Sequence, residues 1–204
     1  LEAPLTSDVK AFAAPVSQWI KSSPHGAEVG HDAAAAVRAA NSNGGQVASL
    51  ILPADTAWTP AYDYGVYRKP QSPEVPPAAA IEKISGLLSN GKNTSILMTG
   101  QALRARGLEA ANRIAVKSSA QIFADTFNAR TERGAGRYGI KRLPYFAEQI
   151  VETLAGTEQL IIVGSQSPVS FFAYPDIPNY LVPKGCATHV LATHAEDAIG
   201  CLLY

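Results

Sequence analysis

The sequence lacks the features that mark several classes of protein. It has only two cysteines, Cys186 and Cys201, so it offers neither a disulfide framework nor a Cys-x-x-Cys pair. No apolar run approaches the roughly 18 residues that a membrane-spanning helix needs, so we expect no membrane partner. No signal peptide is recognisable, and two reduced thiols are typical of a cytoplasmic protein, which is where we place it.

Charge is also scarce, and it is balanced. Among 204 residues there are 17 Lys and Arg against 17 Asp and Glu, which gives a formal net charge of zero. Nucleic acids are bound by clustered Lys and Arg, so we expect no nucleic-acid partner. The 47% of hydrophobic residues excludes a disordered chain and, at this length, suffices for a real core. The chain opens on Leu1 without a methionine, so we expect a piece of a longer protein.

From residue 78 onward, apolar strand patterns alternate with helical ones. This alternation indicates βαβ units with right-handed crossovers. We therefore predict an α/β fold, a Rossmann-like doubly wound parallel sheet, over 78–204. The predicted helices are 77–89, 101–117, 143–154 and 196–203, and the predicted strands are 94–98, 121–124, 159–163 and 188–191.

Residues 1–56 form a smaller block, which we predict to be a partial α/β segment. Its helices are predicted near 7–12 and over 31–41, with extended chain at 16–20 and a buried strand at 46–52. Two strands do not make a stable sheet, so we expect this block to be covered, either in a homo-oligomer or by the second block. Six prolines between Pro53 and Pro77 predict an extended linker over 57–77.

The candidate ligand-binding residues follow the strands of the second block. Gly100 and Gln101 lie at a strand-to-helix turn, where backbone amides attract anions. The alternative is that the one glycine is needed simply to make the turn. Asp125 follows the next strand, and Gly164, Ser165 and Gln166 follow a third. Doubly wound sheets bind ligands outside these carboxyl ends. The turn has neither a Gly-x-Gly-x-x-Gly motif nor a P-loop.

One loop concentrates positive charge. A guanidinium cluster there is typical of phosphate or carboxylate recognition, but we favour a surface or interface loop. The four histidines lack metal-ligand spacing, and no Ser/His/Asp set stands out, so we assign no metal ligand and no catalytic residue. The cationic residues of the loop are Arg130, Arg133, Arg137, Lys141 and Arg142.

Several segments resemble the thiamine-diphosphate-dependent enzymes, in particular acetolactate synthase large subunits. The segment GGQVASLILPADTAW (44–58) resembles the end of their pyrimidine-binding domain, where a Gly-Pro-Val strand precedes Ile-Pro-x-Asp. The segment 3–21 resembles the helix and strand upstream of it. SILMTGQAL (95–103) and THVLATHAEDA (188–198) are similar to the entry and the last strand exit of the central domain.

The resemblance implies a domain organisation and cofactors. Residues 1–56 would be the C-terminal part of the pyrimidine-binding domain, 57–77 the linker and 78–204 the central domain. The partners would be the missing pyrimidine- and diphosphate-binding domains of the same chain. The parent enzyme would use thiamine diphosphate and Mg²⁺ on 2-oxo acids, but the family's Gly-Asp-Gly motif and catalytic glutamate are absent here, so we expect no activity from this chain alone.

The resemblance also implies FAD contacts near Gly100, Gln101, Asp125, Thr126 and 164–166. The chain departs from the flavin pattern. It keeps one glycine after the first strand, has SQSPVSFF (165–172) in place of an Arg/Asp-rich segment, and lacks the acid after its last strand. We therefore expect a central domain that serves as spacer and subunit contact. The alternatives are a stand-alone FAD- or NAD(P)-binding module, or a domain that only mediates oligomers.

Overall fold

The structure is a computed structural model that describes residues 4–61, 64–173 and 175–204. The chain divides into two compact units, the first ending at Ser72 and the second beginning at Pro73. This division falls inside the predicted linker. Each unit is described by itself below.

The first unit is a small αβαβ arrangement. It contains the helix α1 (Val9–Ala13), the strand β1 (Trp19–Ser22), the helix α2 (Val29–Ala40) and the strand β2 (Ala48–Ile51). The two strands pair in parallel, and α2 packs on both of them. The predicted buried strand at 46–52 is shorter and only half-buried, because a two-stranded sheet gives each strand a single neighbour.

An ion pair between a buried carboxylate and an exposed lysine joins α2 to β1 in this unit. Asp32 is 2% exposed, and one of its carboxylate oxygens lies 2.6 Å from Nζ of Lys21. The buried hydroxyl of Ser23 donates to the other oxygen at 2.8 Å. Burial opposes ionisation of Asp32, but the hydrogen bonds from Lys21 and Ser23 prevail and hold its pKa below the usual value.

The second unit is a parallel sheet with helices on both faces, as predicted, but it has five strands where four were predicted. The strand order is β5-β4-β3-β6-β7, so the first strand of the unit lies at its centre. All neighbouring strands are parallel. Its elements are α3 (Ala78–Leu88), β3 (Thr94–Met98), α4 (Ala105–Ser118), β4 (Gln121–Ala124), β5 (Lys141–Arg142), α5 (Ala147–Thr153), β6 (Gln159–Val163), β7 (Ala187–Ala192) and α6 (Ala198–Leu203).

The core has two layers, one on each face of this sheet. Ile96 and Met98 point into the layer that holds α3, α4 and α6, while Leu97 points into the layer that holds α5. This alternation follows from the period-two geometry of a strand. Every residue of β3 and of β6 is buried, which matches the largely apolar patterns of central parallel strands.

One strand of this unit was missed, and one predicted helix begins later than expected. The strand β5 was not predicted, because it consists of two exposed, charged residues at the edge of the sheet. The helix predicted over 143–154 begins only at Ala147. Leu143 instead extends the sheet by donating its N–H to the carbonyl of Ala124, and the following Pro144 has no N–H to give a helix.

A buried amide connects α3 to the central strands. Gln159, at the start of β6, is 1% exposed. Its Nε2 donates to Oγ1 of Thr94 at 2.9 Å and to the carbonyl of Leu87 at 3.2 Å. Its Oε1 accepts from Nδ2 of Asn90 at 2.7 Å. All donors and acceptors of this buried amide therefore have partners.

Within the described part of the chain, no helix combines the length and apolar character needed to cross a membrane.

Candidate functional site

The strand order places a crevice at the carboxyl end of the sheet. From β3 the chain crosses to β4 on one side, and the later strand β6 pairs on the other side. The loops after β3 and β6 therefore diverge at this point, which is where open α/β sheets bind ligands. The predicted site residues lie in the loops after β3, β4 and β6, at this end of the sheet.

The two glycines at the crevice have different surroundings. Gly164 has a φ of +72°, and a Cβ there would lie 3.2 Å from the carbonyl oxygen of Thr99, so close packing accounts for it. Gly100 has a φ of +60°, but open space surrounds the position of its missing Cβ. It begins a 3₁₀ turn through Leu103, and α4 starts only at Ala105, later than the predicted Gln101.

The structure brings Asp125, Thr126 and Ser165 together. The hydroxyl of Ser165 donates to Oδ2 of Asp125 at 2.5 Å, and the N–H of Thr126 donates to its Oδ1 at 2.7 Å. The bond from Ser165 joins the loop after β6 to the loop after β4. Gln101 and Gln166 are exposed at the rim. Both carboxylate oxygens of Asp125 thus already have donors within the chain.

The N-terminus of α4 already holds a carboxylate. Oε2 of Glu132 accepts the N–H of Ala105 at 2.8 Å, and the N–H of Glu132 donates to the carbonyl of Leu103 at 3.0 Å. Arg130 and Arg137 approach the same carboxylate at 3.6 and 4.0 Å. Glu132 therefore occupies the position where helix amides would otherwise attract a phosphate.

This arrangement divides the predicted cationic loop. Arg130 and Arg137 face Glu132, while Lys141 and Arg142 form β5 at the sheet edge. The sequence analysis missed Glu132, because its position depends on the path of a loop without periodicity. The only sign of this role in the sequence was an acidic residue between arginines.

Five aromatic side chains form a partly exposed cluster beside the crevice. They come from the loops after β4, β5 and β6, and their ring centroids lie 4.7 to 5.8 Å apart. The sequence analysis did not single them out, since three separate loops contribute them. The members are Phe127, Tyr145, Phe146, Phe171 and Phe172.

The thiols are poor nucleophiles. Both cysteines are free. Burial, reinforced by the negative charges of Asp197 and Glu196, raises the pKa of Cys201 to about 11. Burial also raises the pKa of Cys186. The thiolate is the reactive form, so both side chains are protonated and unreactive near neutral pH.

The central carboxylate of the crevice belongs to Asp125. This carboxylate accepts from the hydroxyl of Ser165 and the N–H of Thr126. Among the described residues, no histidine donates a hydrogen bond to it. Nowhere in the described ranges do three or more His, Cys, Asp or Glu side chains form a group that could hold a metal ion.

Sequence comparison identifies a relative that matches this chain over part of the relative's length. The chain is 42% identical over 205 aligned residues to a Mycobacterium tuberculosis protein with the provisional name acetolactate synthase large subunit IlvX. The match includes 98% of this chain but only 39% of that protein. The chain thus spans about two fifths of the length of this curated relative. No protein-family profile matches the sequence.

Solved structures share the fold. Benzoylformate decarboxylase from Polynucleobacter necessarius matches 98% of this chain and 41% of its own, with a TM-score of 0.71 and 17% identity. The thiamine diphosphate-dependent 4-hydroxybenzoylformate decarboxylase of Rhodococcus jostii RHA1 gives a TM-score of 0.68 at 16% identity, over 96% of this chain and 40% of its own. The resemblance seen in the sequence is confirmed. The chain has the fold of the corresponding part of thiamine-diphosphate-dependent enzymes. It is a relative of an acetolactate-synthase-large-subunit-like protein over part of that protein's length.

Proposed function

We propose that the chain is part of a larger thiamine-diphosphate-dependent enzyme of the acetolactate-synthase type, which decarboxylates a 2-oxo acid and joins the product to a second carbonyl compound. The 42% identity over 98% of the chain carries this proposal. Because the match spans only 39% of the relative, the remaining segments of the whole protein would supply the rest of the active site.

The first 56 residues are proposed to be the end of the pyrimidine-binding domain, residues 57–77 the linker and residues 78–204 the central domain. The parallel pair β1–β2 with α2, and the separate five-stranded sheet, support this assignment. The half-buried strands of the first unit support a role for further domains or a second copy in covering it. We therefore propose a homo-oligomer, located in the cytoplasm in keeping with two free thiols.

Thiamine diphosphate, when bound with Mg²⁺, supplies the carbanion chemistry of such enzymes. The described residues of this chain do not fit that cofactor. They include no cluster of metal-ligating side chains, and the sequence has no Gly-Asp-Gly motif. The chain alone is accordingly proposed to be inactive, and no reaction step is assigned to its residues.

Calorimetric titration of thiamine diphosphate and Mg²⁺ tests this proposal. The 204-residue chain is expected to give no saturable heat, because both halves of the cofactor site lie in other segments. The whole protein that contains these segments is expected to bind the cofactor in a Mg²⁺-dependent manner and is the positive control. Tight, Mg²⁺-dependent binding to the 204-residue chain would contradict the assignment, as would no binding to the whole protein.

A stand-alone FAD- or NAD(P)-binding module is the second candidate. The open space at Gly100 and the placement of Asp125 after the second strand favour it, since dinucleotide-binding sheets use these positions. The carboxylate of Glu132 opposes it, because it already accepts from the first amide of α4. As folded, the crevice does not fit a dinucleotide diphosphate, and we propose a central domain that serves as a spacer.

Nucleotide titrations separate these two candidates. The chain is expected to purify colourless and to show neither retained flavin absorbance nor saturable quenching of its tryptophan fluorescence by NADH. Glu132→Gln removes the charge at the helix start while keeping the shape of the side chain, and it serves as the matched comparison. Retained flavin or saturable NADH quenching by the unmodified chain would overturn the spacer assignment.

A further inference from the structure

A groove of about 620 Å³ lies within the first unit. One wall is α2, another is the start of β1, and a third is the extended chain after Gly65. This volume falls in the range of small-molecule sites. The lining residues are Trp19, His31, Ala34, Ala35, Arg38, Ala39, Ser42, Asn43, Gln46, Val66 and Arg68.

The sequence builds an apolar floor with a close third wall. The alanine run of α2 leaves a flat surface, and the half-buried ring of Trp19 adjoins it. Gly65 lies against α2 so closely that a Cβ there would be 1.7 Å from the carbonyl oxygen of Gly30. Only glycine permits this approach, which brings Val66 and Arg68 to the groove.

The charged side chains among the described lining residues of the groove are both arginines. Arg38 and Arg68 are both exposed, and neither forms an ion pair with a described residue. No Asp or Glu is among the described lining residues. The one acid of α2, Asp32, is buried and paired with Lys21. Two guanidinium groups thus stand over an apolar surface without a counter-charge from the described lining.

We propose that this groove binds a small organic anion that combines a carboxylate with a flat apolar body, such as an aryl carboxylate. A guanidinium matches a carboxylate through two parallel hydrogen bonds. The ring of Trp19 and the alanine floor accept the flat body, which loses apolar surface to water on binding. This site is separate from the sheet crevice and does not depend on the proposed enzyme function.

Fluorescence titration with 2-naphthoate tests the site. The sequence has two tryptophans, and Trp58→Phe leaves Trp19 as the only reporter. Saturable change in Trp19 emission is expected, with the neutral 2-naphthamide at least about tenfold weaker because it lacks the charge that the guanidiniums recognise. Arg38→Gln and Arg68→Gln are each expected to weaken naphthoate about five- to tenfold, and Arg38→Lys to fall between.

The matched control is Arg113→Gln, which removes an exposed arginine from α4 in the other unit and should leave the affinity unchanged. Far-ultraviolet circular dichroism checks that each variant is folded. Equal affinity for naphthoate and naphthamide would overturn the proposal, as would glutamine variants that bind like the control. Competition by inorganic phosphate at the same concentration as naphthoate would also overturn it, since charge alone would then suffice.

Discussion

Gly107→Ala is expected to destabilise the second unit by about 3 kcal/mol, at the upper end of the usual effect of overpacking. Gly107 lies in α4 where the helix meets the 3₁₀ turn before it. A Cβ there would be 2.3 Å from the carbonyl oxygen of Ala102 and 2.8 Å from its carbonyl carbon. These are backbone atoms of a buried turn, so no side-chain rotation relieves the clash. Urea denaturation followed by circular dichroism measures the change.

Gly86→Ala is the matched control for this substitution. Gly86 lies in α3, where nothing approaches within 4 Å of the added Cβ. Alanine is a better helix former than glycine, so this change is expected to stabilise the unit by about 0.5–1 kcal/mol. Two glycine-to-alanine changes in neighbouring helices should therefore have opposite signs. The same sign for both would show that α4 is not packed against the turn as described.

Gln159→Leu is expected to reduce the free energy of unfolding by about 2–4 kcal/mol. Leucine keeps a similar volume, so the effect isolates the hydrogen bonds. It leaves the buried hydroxyl of Thr94, the partly buried carbonyl of Leu87 and the exposed amide of Asn90 without their bonds to Gln159. An unsatisfied buried polar group costs about 1–3 kcal/mol, and more than one group loses a hydrogen bond in this variant. Thermal unfolding by differential scanning calorimetry is the measurement.

Gln149→Leu is the comparison for Gln159→Leu. Gln149 is an exposed residue of α5, so the same chemical change should shift stability by no more than about 0.5 kcal/mol. If both variants unfold at the same temperature, the buried amide contributes no more than a surface residue does. The prediction would then be wrong.

The central strands could be predicted from the sequence because their patterns are unambiguous. Thr94–Met98 and Gln159–Val163 were predicted with the bounds that the structure shows. Both are short apolar runs between turn residues, and burial on both faces leaves no alternative pattern. The edge strand β5 could not be predicted, because two exposed charged residues carry no strand signal. Its pairing is set by β4 and not by its own sequence.

The candidate site was predictable only in position. The rule that ligands bind at the carboxyl ends of parallel strands correctly indicated where Asp125 and Ser165 would lie relative to the sheet. Their mutual hydrogen bond and the placement of Glu132 depend on loop paths that periodicity does not encode. Whether these residues bind a ligand stays a prediction.

The central place of β3 has a consequence for how the second unit assembles. It is the first strand of that unit in the chain, yet one of its neighbours, β6, pairs across a separation of 65 residues, since Thr94 lies opposite Gln159. During synthesis from the N-terminus, the apolar β3 can therefore pair only with β4 until residue 163 has been synthesised. Non-local pairing of this kind slows folding and leaves a hydrophobic strand edge exposed for longer. The order of the strands thus leaves one edge of the apolar β3 unpaired until most of the second unit has been synthesised.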